Sequence, residues 1–132
     1  MIDKAESLLL LRKKFLNFFL SKEWLNYYDE SDLKGPSYFG IIDAFSDYVK
    51  YLFINKQMEE LKCIFDFVEI LLKKGDQDVQ NAFTTMFLEN LLNIVPDQIS
   101  AEDFVPLLGK ESREYCKAWD DLTGVKTEGL HD

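Results

Sequence analysis

A chain of 132 residues with 47% hydrophobic content and 11 Phe has ample material for one buried core, which excludes a disordered protein. Only 6 Gly and 3 Pro interrupt it, a balance that favours helices joined by short turns over a strand-rich fold. The net charge of −9 argues against nucleic acid and anionic membrane as direct partners, while permitting a basic one.

Apolar spacing predicts an N-terminal helix over 1–26, running from about Asp3 to Asn26. Leu8, Leu11, Phe15, Phe18 and Phe19 share one face of it, with Leu9, Leu16 and Leu20 beside them. Tyr27 to Gly35, with Asp29, Glu30, Ser31 and Asp32, reads as a loop, and Pro36 fits the first turn of the next helix. That second helix has its stripe at Ile42, Phe45, Val49, Leu52 and Phe53, opposite Asp43, Asp47 and Lys50.

Asn55 can cap a third helix carrying Leu61, Ile64, Phe65, Val68, Leu71 and Leu72, with Cys63, Phe67 and Ile70 as a second apolar flank. Lys73 and Lys74 suit the negative end of its dipole, and Gly75 suits a left-handed residue after it. Asp76 is a natural N-cap for a fourth helix with Val79, Phe83, Met86, Phe87, Leu91 and Ile94 inward, closed by Pro96. Ser100 with Asp103 resembles a capping box for a short helix to about Gly109. A last helix from about Glu111 to Leu122 presents Tyr115, Trp119 and Leu122, ends at Gly124, and leaves 125–132 as a tail. The expectation is one all-α domain over 1–132, with five to six antiparallel helices in an irregular bundle or a short HEAT-like stack.

Cys63 and Cys116 have no CxxC spacing and fall within helical patterns, which suggests buried thiols in a reducing compartment. The apolar run Leu8–Leu11 precedes Arg12, Lys13 and Lys14, the reverse of a signal peptide, and no stretch approaches the roughly 20 apolar residues of a membrane span. A cytoplasmic protein without membrane contact is expected.

The residues for catalysis are sparse. The one histidine, His131, falls in the tail, where rigid placement for acid–base work is not expected. With no second histidine there is no HExxH zinc site, no Glu-x-x-His di-iron pair and no Ser–His or Cys–His nucleophile system. Asp76-Gln77-Asp78 starts like a calcium loop, but the sixth position is Asn81 instead of Gly and the twelfth is Phe87 instead of Glu. No glycine-rich phosphate loop is present. Glu59–Glu60 and Asp120–Asp121 are neighbours that diverge around a helix and do not share a site. These residues predict no enzyme, no cofactor and no metal, with a metal enzyme built only of carboxylates from different helices as an alternative.

Charge placement is more informative. Residues 1–34 hold six acidic and six basic side chains, so residues 35–132, with eighteen acidic and nine basic, carry the whole −9. Between Gly75 and Gly109 there is no Lys or Arg, while Asp76, Asp78, Glu89, Asp97, Glu102 and Asp103 are all acidic. With Asp76 given to helix capping, the candidate partner-binding residues are Asp78, Glu89, Asp97, Glu102 and Asp103, a one-signed surface able to steer and hold a cationic protein. The bland alternative is capping and solubility. Asn90, in line with Met86 and Ile94, is expected to hydrogen-bond a neighbouring helix. Trp24, Tyr27 and Tyr28 read as core edge, though such side chains also anchor interfaces.

The segment from Asp78 to Leu92 (DVQNAFTTMFLENLL) and that from Tyr115 to Val125 (YCKAWDDLTGV) resemble a group of small helical bacterial proteins. Members of that group are immunity proteins beside polymorphic toxins, including contact-dependent growth inhibition systems. The resemblance covers about residues 36–130 and carries no catalytic signature. It implies a cytoplasmic antitoxin that binds and blocks the C-terminal toxin domain of a neighbour's surface protein. A basic nuclease would be the partner that suits the charge. A helical adaptor in a housekeeping assembly is the alternative from another class.

Overall fold

The computed structural model describes residues 1–28 and 35–131, and every regular element among them is helical. The order is α1 (Lys4–Lys14), α2 (Leu16–Phe19), α3 (Lys22–Tyr27), α4 (Tyr38–Ile54), α5 (Met58–Lys74) and α6 (Gln77–Asn81). A π-helical stretch, Ala82–Leu88, continues α6 into α7 (Glu89–Leu92). After it come α8 (Ala101–Phe104), a 3-10 turn (Val105–Leu107) and α9 (Lys110–Thr123). The all-α expectation holds, and no helix among the described residues is long and apolar enough to cross a membrane. Most of the loop expected over Tyr27 to Gly35, with Asp29, Glu30, Ser31 and Asp32, lies outside the described residues.

The single N-terminal helix expected over 1–26 is instead three short ones. Phe15 leaves helical geometry (φ −129°, ψ 53°), and Ser21 caps a new start by accepting the Trp24 N–H at 3.3 Å. In one straight helix Trp24, nine residues after Phe15, would lie on the opposite side of the axis. The breaks turn Phe15, Phe18, Phe19 and Trp24 inward together, and leave Leu9, Leu16 and Leu20 exposed. Phe15 and Phe18 then meet Phe45 of α4 with ring centroids at 6.2 and 5.1 Å.

Helices α4 and α5 carry the centre of the core, and the stripe expected on each is buried apart from half-buried Leu72. The second flank assigned to α5 is only partly correct: Phe67 is buried, but Cys63 and Ile70 face outward. Pro36 sits just before the helix, and Ser37 is the N-cap of α4, accepting the Gly40 N–H at 3.0 Å. Asn55 caps the end of α4, its amide donating to the Tyr51 carbonyl, and does not start α5.

Gly75 departs from expectation in an instructive way. Its backbone is extended (φ −72°, ψ 153°), not left-handed. The start of the chain supplies the capping: Ile2 N–H donates to the Lys74 carbonyl, and Asp76 N–H to the Ile2 carbonyl, each at 2.8 Å. A Cβ at Gly75 would lie 2.5 Å from the Leu71 carbonyl oxygen and 2.6 Å from a Val79 methyl. Glycine is needed there for space. Asp76 caps α6 as expected, accepting the Val79 N–H at 3.0 Å.

The π turn shifts the phase of the fourth helical segment. Val79, Phe83, Phe87 and Leu91 are buried as expected, but Leu88 joins them while Met86 and Ile94 are only half-buried. Polar side chains take carbonyls along this stretch: Thr84 Oγ1 lies 2.9 Å from the Gln80 oxygen, and Asn90 Nδ2 lies 2.7 Å from the Met86 oxygen. The same Asn90 amide reaches α4 at Asp43 Oδ1 (2.6 Å) and Ser46 Oγ (3.1 Å), the inter-helix bond expected of it.

Helix α9 packs on α5, with Glu69 marking the join. Its carboxylate accepts from the backbone N–H of Glu111 (2.5 Å) and Ser112 (3.2 Å) and from the Ser112 hydroxyl (3.0 Å). A side chain of one helix thus caps the N-terminus of another, where an anion meets the positive end of the dipole. The inward face of α9 is Ser112, Cys116 and Asp120, while Tyr115 and Trp119 are half-buried and Leu122 is exposed, contrary to the stripe expected.

The two cysteines differ accordingly. Both are free; Cys63 is exposed, and Cys116 is buried with its thiol pushed up to about 12 by burial and by the charge of Asp120. A thiol reagent in mildly alkaline buffer should modify one cysteine quickly and the second only on unfolding, because the thiolate is the reactive form. Two fast thiols would contradict the packing of α9.

Candidate protein-binding surface

The five acids singled out by charge placement do not form one free patch. Asp78 pairs with Lys4 of α1 at 3.7 Å. Asp103 forms an ion pair with Lys56, which reaches across from the α4–α5 turn with a left-handed backbone (φ 55°). Glu89 accepts the hydroxyl proton of Tyr115, whose pKa is pushed up to about 12 by burial and by this bond. The capping box is half formed: Ser100 Oγ accepts the Asp103 N–H at 3.2 Å, and the Asp103 carboxylate goes to Lys56. A stretch free of lysine in sequence is therefore not free of it in space.

Two acids remain. Asp97 and Glu102 are exposed, and neither has an ion-pair or hydrogen-bond partner among the described residues. Glu102 lines a groove of about 560 Å³ whose other wall is the chain after α9, where Glu128 stands. Pro96, Ala101, Val105 and Pro106 supply its apolar lining.

Glu128 belongs to the segment expected to be a tail. Val125 and Lys126 are exposed, but Thr127 is buried and Leu130 fully so. The Leu130 N–H bonds the Thr127 carbonyl at 3.2 Å across a turn in which Gly129 takes φ +83°, the positive value that favours glycine. Asp120 holds this turn from inside, only 1% exposed. Its Oδ2 accepts the Thr127 N–H at 2.8 Å, its Oδ1 meets the Thr127 hydroxyl at 3.0 Å, and His131 Nε2 lies 2.9 Å from Oδ2. His131 is thus tied to α9, a correction to its reading as loose tail; Asp132 lies outside the described residues. The available signals were slight: a lone Leu130 among polar residues, and Gly129 as a turn former.

A second groove, of about 610 Å³, lies between α3 and α4 against Tyr27, Tyr51 and Ile54, but Lys50 shares its rim with Glu23 and Asp47. Trp24 is core edge as expected, stacked on Tyr28 at 5.5 Å. Among the described residues no group of three or more His, Cys, Asp or Glu side chains is placed to hold a metal ion.

Residues 16–124 match the profile of a family described as a domain of unknown function, DUF7674. The chain belongs to that family. The match takes in most of the folded core, with Asp97, Glu102 and Asp120, and leaves out α1 and the turn bearing Glu128. No curated protein and no solved structure matches the chain.

Proposed function

We propose that this protein is an antitoxin: an immunity protein that binds a toxin domain in the cytoplasm and blocks it, with a basic nuclease as the partner class its charge suits. The observation that carries the reading is the exposed acidic surface at Asp97 and Glu102, which no cation of this chain neutralises among the described residues. The positive cleft of a nuclease is built for phosphate, and an acidic protein can occupy it as a competitor. The resemblance of residues 78–92 and 115–125 to immunity proteins points the same way.

The test begins with co-purification of the chain with the product of the adjacent gene. Asp97→Lys with Glu102→Lys should slow association about tenfold or more and flatten its salt dependence, while the fold stays intact. The comparison is Glu59→Lys with Asp66→Lys, two exposed acids on α5 that change the net charge equally. Toxin capture lost only in the first variant supports the reading. Equal loss in both would mean overall charge steers the encounter without marking a site, and no capture by the unmodified chain would remove the antitoxin reading.

A further inference from the structure

We infer that the groove between α8 and the C-terminal turn seats an extended segment of a protein partner. That segment would place an Arg or Lys between Glu102 and Glu128 and an adjacent apolar side chain on Pro96, Val105 and Pro106. The inference deepens the binding role proposed above and rests on it for the partner's class, but not for the groove.

Three observations converge on it. The groove has a volume of about 560 Å³ and sets the apolar surfaces of Pro96, Ala101, Val105 and Pro106 beside the polar groups of Ser100, Glu102 and Glu128. Its two carboxylates are unspent. Several other acids serve the fold: Asp76 caps α6, Glu69 caps α9, Asp120 clamps the turn, Asp43 takes Asn90, and Glu60 takes the Tyr48 hydroxyl at 2.8 Å. Glu102 and Glu128 have no such partner among the described residues, and no Lys or Arg lines the groove, so both carboxylates are open to a cation brought by a partner.

The third observation is that the wall bearing Glu128 is held in place. Asp120 and buried Leu130 fix the turn on both sides of Glu128, so little ordering is left for the partner to impose. A cation between two carboxylates gains charge-assisted bonds, and an apolar neighbour on Val105 and the prolines adds area removed from water. A small polycation would use only the first of these.

The test needs no toxin. The full chain, labelled for amide NMR, is titrated with a blocked peptide alternating Leu and Arg, and separately with spermidine. Shifts should cluster at residues 98–105 and 127–130, and Glu102→Lys with Glu128→Lys should weaken peptide binding about tenfold. Both side chains are exposed, so the variant should fold, as its unchanged amide spectrum away from the groove would verify. Shifts spread over all acidic surfaces, spermidine bound as tightly as the peptide, or a double variant that binds the peptide normally would each overturn the assignment. The two proposals fail separately. A peptide seated in the groove without toxin capture would end the antitoxin reading alone. Toxin capture with no peptide in the groove would end the groove assignment alone.

Discussion

Replacing Phe87 by Ala should destabilise the protein by about 3–5 kcal/mol, a large share of the roughly 5–15 kcal/mol that holds a domain of this size folded. Phe87 is fully buried, and its ring joins separate parts of the core. It stacks on Phe45 of α4 at 5.7 Å and meets Phe65 of α5 at 5.6 Å and Phe83, one turn back, at 6.0 Å. Truncation removes the transfer free energy of the ring and leaves a cavity lined by three rigid aromatic faces that collapse poorly. Phe39 makes the comparison: half-buried at the start of α4, with Tyr38 as its one aromatic neighbour among the described residues, it should cost about 1 kcal/mol as Ala. Denaturant unfolding measures both, and similar losses at the two positions would contradict the packing described.

The periodicity that identifies Phe87 as core is the part of this fold most legible in sequence. The stripes on α4 and α5, the cap at Asp76, the end of α9 at Gly124 and the inter-helix role of Asn90 all follow from spacing and local chemistry. Features set by distant segments did not. A continuous N-terminal helix satisfies local propensity, whereas the break at Phe15 goes with its packing against Phe45 and Phe67, which lie far along the chain. The sequence around Gly75 suits a left-handed cap, and nothing in it reveals that Ile2 returns to take the Lys74 carbonyl.

The candidate site was legible only in part, for the same reason. Absence of lysine along one stretch says nothing of lysines that fold onto it, and Lys4 and Lys56 neutralise Asp78 and Asp103 from outside. Glu128 sits in a short polar segment that gives no periodic signal. The buried row Ser112, Cys116 and Asp120 on α9 was hidden by a helix whose larger apolar residues, Tyr115, Trp119 and Leu122, lie on other faces.

Asp120→Ala should free the C-terminal turn and lower stability by about 2–3 kcal/mol. The carboxylate is buried, and three donors converge on it: the N–H and hydroxyl of Thr127 and Nε2 of His131. Alanine offers none of them an acceptor. Because the turn lies at the surface, the chain can expose these donors to water instead of leaving them buried. The loss is then bounded by the bonds themselves and by the burial of Leu130, about 1.5–3 kcal/mol. Sparing the cost of a buried charge offsets part of it. Asp120→Asn separates shape from charge: the amide oxygen can still accept from Thr127 N–H, and the amide nitrogen can donate to the Thr127 hydroxyl, which accepts as readily as it donates. That variant should lose about 1 kcal/mol and keep the turn. Amide exchange distinguishes the outcomes. In the Ala variant, protection should vanish at Thr127 and Leu130 while amides of α4 and α5 exchange only through global opening. Protection unchanged at Thr127 and Leu130, with stability within about 0.5 kcal/mol of the parent, would show that Leu130 alone anchors the turn and that Asp120 is incidental to the wall carrying Glu128.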